Sequence, residues 1–263
     1  EDTTNSHGHF DSLDSNGFTV TGAGGYWNVN RDTLAYTGWA WKESVTAGFD
    51  MISYTGNESV RTIAHSLSAV PNLVIIKCRS DARSWVVTNT AKGFTGRAFL
   101  DATDAWSTNT GEFNDTAPTS SVFTVGGDHR TNKNSETYIA YFWKDVQGFS
   151  KVSGSYTGNG NADGAFVYTG FRPAWVMIKR ADGTNGWVIY DNKRQGYNAN
   201  NDEIFADVAD AEVTTDDRFD ILSNGFKCRS ASADHNGSGA SYIYAAFSEA
   251  PLVNSKGVPC NAR

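Results

Sequence analysis

The chain has 263 residues, 22 of them basic and 29 acidic, for a formal net charge of −7, and no lysine/arginine cluster interrupts the acidic balance. That charge argues against a nucleic-acid binder. The lack of an apolar run near the ~18 residues a helical span requires argues against a transmembrane helix, and 39% hydrophobic residues with 13% aromatics argue against disorder.

At the N-terminus, residues 1–10 (EDTTNSHGHF) lack a basic segment followed by an apolar one, so they do not read as an intact signal peptide. The expectation is a processed chain or the end of a longer polypeptide. Further on, apolar runs are short, rich in β-branched and aromatic residues, and bounded by Gly, Asn, Asp and Ser. They are residues 73–77 (LVIIK), 85–88 (WVVT), 175–179 (WVMIK) and 187–190 (WVIY). Runs of this kind predict strands, and 26 glycines against 5 prolines predict tight turns rather than linkers. Residues 201–210 (NDEIFADVAD) have some helical spacing, Ile204 and Phe205 meeting Val208, but are too short and poorly capped to hold a helix. Three cysteines, Cys78, Cys228 and Cys260, show no CxxC spacing and are expected as reduced thiols. The fold expected is all-β.

Self-comparison sets the architecture. Gly48-Phe49-Asp50 leads into Ser53-Tyr54-Thr55-Gly56-Asn57, and Gly148-Phe149-Ser150 leads into Ser155-Tyr156-Thr157-Gly158-Asn159. Pro71 and residues 73–77 return as Pro173 and residues 175–179, Trp85-Val86-Val87 returns as Trp187-Val188-Ile189, and residues 138–143 return as residues 242–247. Offsets of 100–104 predict tandem antiparallel β-sandwich (jelly-roll-like) repeats of about 100 residues. Residues 46–147 form repeat one, residues 148–251 repeat two, and residues 252–263 a tail. Ser15-Asn16-Gly17-Phe18 matches Ser223-Asn224-Gly225-Phe226, and residues 36–42 match residues 138–144, so residues 1–45 read as the closing strands of an incomplete preceding repeat. Such strands either blunt an edge of repeat one or complete a domain supplied by missing sequence or another subunit; a truncated parent protein is the favoured explanation. Trp39/Trp41 and Tyr141/Trp143 alternate, so each pair shares a strand face, expected in the core, and Trp85 and Trp187 are expected to be structural.

No nucleophile elbow, phosphate loop, dinucleotide fingerprint or HExxH pair occurs, so no catalytic residues are assigned. His7 and His9 would share a face if extended, and the acids between Asp202 and Asp220 offer oxygen ligands. An exposed terminus and a solvated acidic surface are the preferred readings, with no metal and no cofactor expected. The binding candidates are aromatics in polar loops: Tyr26, Trp27, Trp106 and Tyr197, side chains able to stack on sugars while neighbouring amides bond hydroxyls.

The string Trp41-Lys42-Glu43 … Gly48-Phe49-Asp50 … Tyr54-Thr55-Gly56-Asn57 … His65 … Pro71 … Ile75-Ile76-Lys77 … Trp85, with Ala250-Pro251-Leu252-Val253 near the end, resembles a β-repeat domain of marine tailed-phage virion proteins. In those proteins it lies toward the C-terminus of tail-fibre-like or appendage chains. Ser150 in place of Asp50, and Tyr168 or Thr169 near the place of His65, depart from the pattern, so no role for Asp50 or His65 is shared by both copies. The resemblance implies a virion location after assembly in a host bacterial cytoplasm, and other virion proteins as partners. The leading expectation is a non-enzymatic, homo-oligomeric structural protein, a tail-fibre or appendage end displaying loops to host-surface glycan. The alternatives are a capsid decoration or knob, a glycan depolymerase and a secreted bacterial adhesin.

Overall fold

The computed structural model describes residues 9–15, 17–21, 29–194, 198, 201–249, 252–253 and 259–260, and these are built almost wholly from antiparallel strands. Two compact units are present, Glu1–Trp41 and Lys42–Arg263. In the first, β1 (His9–Asp14) and β2 (Gly17–Thr21) form a hairpin with Leu13 opposite Phe18 and Asp14 opposite Gly17. The Phe10 and Phe18 rings pack with centroids 4.9 Å apart, and Asp14 accepts the Ser12 and Thr19 hydroxyls at 2.9 and 2.8 Å. Residues 36–42, which match a strand elsewhere in the chain, form none here.

The second unit opens with β3 (Phe49–Thr55), β4 (Arg61–Ala64), β5 (Leu73–Cys78), β6 (Val86–Asn89), β7 (Gly93–Phe99), β8 (Ser107–Thr108), β9 (Val122–Val125) and β10 (Thr137–Trp143). Two one-turn helices interrupt them, α1 (Thr110–Phe113) and α2 (His129–Asn132). A large sheet runs β3-β10-β5-β6-β7-β8, and β4-β9 forms a small one. Then come β11 (Ser150–Thr157), β12 (Phe166–Tyr168), β13 (Trp175–Arg180), β14 (Trp187–Asp191), β15 (Ile204–Phe205), β16 (Phe219–Leu222), β17 (Gly225–Cys228) and β18 (Ser241–Phe247). Their sheets run β11-β18-β13-β14-β15 and β12-β17-β16. The order β3-β10-β5-β6 is thus met again as β11-β18-β13-β14. Near the end, β19 (Leu252–Val253) pairs with β20 (Pro259–Cys260).

Each large sheet has a buried apolar cluster on one face. In the first it holds Val74, Ile76, Val86, Phe123, Tyr138, Ala140 and Phe142, and in the second Val176, Ile178, Val188, Tyr190, Phe219, Phe226 and Tyr242. Successive strand residues alternate faces, so Leu73, Ile75 and Val87 lie on the opposite side, as do Trp175, Met177, Lys179, Trp187, Ile189 and Ile243. They are buried too. For the second sheet the reason is that an edge of the first half abuts this face. The Trp187 indole N–H donates to the Phe99 carbonyl at 2.7 Å, the Lys179 ammonium to the Thr103 carbonyl at 2.9 Å, and the Trp106 backbone N–H to the Ala181 carbonyl at 2.9 Å. Sheets covered on both faces read as continuous apolar runs rather than alternating ones, as residues 73–77 and 175–179 do.

One expectation is corrected by this arrangement. Tyr141 and Trp143 do share a face, but the sandwich core takes Tyr138, Ala140 and Phe142 instead. Tyr141 and Trp143 stack on the other side, with Trp85 6.3 Å from Tyr141 and Phe49 4.9 Å from Trp143. Residues 201–210 hold no helix; Ile204 and Phe205 pair with β14. The repeated glycines have steric reasons. Gly48 and Gly148 adopt φ of 70° and 73°, a region disfavoured for residues bearing a Cβ. A Cβ at Gly56 would fall 2.1 Å from the Lys133 carbonyl oxygen, and one at Gly158 2.3 Å from that of Gly237.

Candidate functional site

The site is a corner of the first large sheet, where β7 meets the short edge strand β8. Gly96 lies opposite Thr108 and Arg97 opposite Ser107. A Cβ on Gly96 would come within 2.6 Å of the Trp106 indole nitrogen, so the glycine is what admits that indole against the strand. Trp106 is half-buried, and its backbone is tied to Ala181. Beyond β8, Asn109 caps α1, its Oδ1 accepting the Gly111 N–H at 2.8 Å. Three residues on, Glu112 is wholly buried and receives the Arg97 guanidinium at 2.9 Å. Arg97 in turn lies 4.3 Å from the centre of the Phe99 ring. The helix ends in two left-handed residues, Asn114 and Asp115, with φ of 52° and 48°. For a residue bearing a Cβ this conformation carries strain of order 1 kcal/mol.

These elements enclose an open, shallow cleft of about 480 Å³, lined by Thr95, Thr108, Asn109, Thr110 and Asp115. Its chemistry is that of hydroxyls, one amide and one exposed carboxylate, with no histidine, cysteine or lysine in the lining. Such a surface can exchange hydrogen bonds with a ligand rich in hydroxyls. Of the residues picked out in the sequence, Trp106 stands at this corner, whereas Tyr26, Trp27 and Tyr197 lie outside the described residues. The five lining residues were not singled out in the sequence. Their signal was the pairing of Asn109 with Glu112 three residues later, the spacing of a helix-capping box.

A second polar cluster lies inside the other sandwich. The Tyr190 hydroxyl donates to Glu203, and His235 Nδ1 is 3.4 Å from that hydroxyl oxygen. His235 Nε2 is 3.0 Å from Ser230 Oγ, and Arg218 reaches the other Glu203 oxygen at 3.1 Å. Burial pushes His235 down to about 4 and raises Glu203 above the usual carboxylate range. The run from serine to histidine to carboxylate is reminiscent of nucleophile activation, but His235 is fully buried and the Ser230 hydroxyl already accepts the Ser232 N–H at 3.2 Å. The cluster braces residues 228–236, whose backbone takes hydrogen bonds from Tyr156 and Tyr242. In the first sandwich, Asp50 accepts the Ser66 N–H and hydroxyl at 2.6 and 2.9 Å. His65 lies within reach of the Thr119 carbonyl and the Leu67 N–H, at 3.2 and 3.3 Å.

Among the described residues, no three His, Cys, Asp or Glu side chains converge on a common point. The acids between Asp202 and Asp220 are in large part committed: Glu212 to Arg194, Glu203 and Asp216 to Arg218, and Asp220 to Arg229. Asp202, Glu203 and Asp220 are buried rather than solvated. Cys78 and Cys228 are free thiols, and burial pushes Cys228 up to about 12.

Residues 1–251 match DUF7483, a domain of unknown function. The chain belongs to the DUF7483 family. No curated protein and no solved structure matches it. The matched span takes in β1–β2, both large sheets and the cleft beside Trp106.

Proposed function

We propose that this DUF7483 protein is a non-enzymatic structural protein of a phage virion, a homo-oligomeric tail-fibre or appendage end that meets host-surface glycan. The observation that carries the contact is the cleft at β8, where hydroxyl, amide and carboxylate groups gather on the strand and turn that follow the half-buried Trp106. Carbohydrate recognition uses this combination, an aromatic body against the sugar face and polar groups for its hydroxyls. The virion setting rests on the resemblance of the sequence landmarks.

The reading is tested by screening the purified chain against a panel of bacterial surface polysaccharides, with calorimetry on any that bind. Trp106→Ala should weaken binding about tenfold or more, the scale on which a lost aromatic anchor acts, while leaving the melting temperature within a few degrees. A panel without binders, or binding indifferent to Trp106→Ala and Thr108→Ala, refutes the contact. Release of reducing ends from a bound polysaccharide refutes the non-enzymatic reading.

A further inference from the structure

We propose that copies of this chain associate head to tail, reusing between molecules the contact that joins the two sandwiches within one. The inference is independent of the glycan reading and gives the homo-oligomer a specific interface.

The internal contact has two sides. One is a sheet face around Trp187 and Lys179; the other is an edge carrying the Phe99 and Thr103 carbonyls that those two side chains bond. Asp104 lies close enough to Lys179 to favour its charge against the effect of burial. Each side has an equivalent elsewhere in the chain. On the face, Ile76 opposite Val86 corresponds to Ile178 opposite Val188, which makes Lys77 and Trp85 the counterparts of Lys179 and Trp187. On the edge, Phe99 pairs with Val86, and Phe205 pairs with Val188. The Leu100 N–H donates to the Trp85 carbonyl as the Ala206 N–H does to the Trp187 carbonyl. Asp101 accepts the Trp85 N–H at 3.0 Å, and Asp207 accepts that of Trp187 at 2.8 Å. Counting on from these pairs, Asp210 stands where Asp104 does.

Both equivalents are more exposed than the sides already in contact. Trp187 and Lys179 are 2% and 0% exposed, whereas Trp85, Lys77 and Tyr141 are half-buried and Met51, on the same face, is 41% exposed. On the edge, Val208 is 40% exposed, and Ala209 and Asp210 are exposed. The charges match: Lys77 and the exposed Arg79 on the face, Asp207 and Asp210 on the edge. Residues 42–249 therefore hold one further copy of each half of a contact they already make once. A second copy presenting its edge to this face fulfils it, and the union leaves one face and one edge open to further copies, as heterologous interfaces do.

The test is sedimentation of the full chain over a wide concentration range, with Lys77→Glu and Asp210→Lys. The wild type should grow beyond its 28.5 kDa mass with concentration. Each variant alone should associate at least about tenfold more weakly, because every junction then opposes like charges. Mixing the two variants should restore association, since every mixed junction pairs opposite signs. Asp210 is exposed, so its variant should melt like the wild type, and rescue by mixing is beyond the reach of an unfolded chain. A wild type that stays at 28.5 kDa throughout, an oligomer indifferent to Asp210→Lys, or variants that fail to rescue each other would each overturn the proposal.

Discussion

His235 concentrates the residue-scale chemistry. The Tyr190 proton is engaged on Glu203, so the Nδ1 proton of neutral His235 faces the Tyr190 oxygen and Nε2 accepts from Ser230. An unfolded histidine takes up a proton near pH 6.5, whereas this one resists until about pH 4. The unfolded chain therefore binds more protons across that window, and acidification from about 6.5 toward 4 lowers stability. Glu203 acts in the opposite sense, because its raised folded pKa adds stability as the pH falls through it. The comparison that separates them is wild type against His235→Gln. Urea midpoints measured from pH 7 to pH 4 should fall more steeply in the wild type, and parallel curves would remove His235 from the account. Other single residues have plainer roles. Asn132 and Asn236 each exchange hydrogen bonds with an asparagine two residues past a repeated threonine, Asn57 and Asn159. This exchange is why the string Thr-Gly-Asn is met twice in the sequence.

At the scale of elements, β13 carries a lysine with no exposed surface into the junction between sandwiches. Burial pulls Lys179 down to about 8, while Asp207, Asp104 and Asp234 act against that. Between about 8 and its ordinary 10.5, the unfolded chain holds the extra proton, so this lysine makes stability rise with pH there. Lys179→Met should erase that alkaline gain and cost little at pH 7, since a packed apolar chain often replaces a buried charge without loss. Thermal unfolding at pH 7, 8.5 and 10 reads both effects. An unchanged alkaline slope would contradict the assignment. Strands of this kind were legible in the sequence: the runs at residues 73–77 and 175–179 are β5 and its counterpart β13, less their last residues. Which way their side chains face was not. Period two says that Tyr141 and Trp143 share a side, and with apolar residues on both sides it says nothing about which is the core. The helices α1 and α2 were missed because four residues give no periodicity. Their caps, Asn109 and Asp128, were the only local sign.

Across the whole molecule, an edge of the first sandwich of Lys42–Arg263 covers the second face of the other, and this unit should unfold as one. Trp187→Phe keeps an aromatic ring but loses the N–H donated to Phe99 and part of the buried indole volume, at a cost of about 2 kcal/mol or more. Hydrogen exchange should then show protection falling in β6 and β13 together. Loss confined to one sandwich would mean that they open separately. The sequence landmarks that marked the repeats also marked the turns, but not this junction. It is made by carbonyls of Phe99 and Thr103, and a backbone group leaves no trace in the identity of its residue. The strand order has a consequence for synthesis. In each large sheet the strand made last, β10 or β18, lies between the first, β3 or β11, and the second, β5 or β13. While a ribosome adding about 5–20 residues per second moves from Phe49 to Trp143, on the order of ten seconds passes in which β3 has no neighbour and β5 bares an edge. The nascent chain needs shelter in that interval, and a stop codon just before Thr137 would leave both edges open to any passing strand.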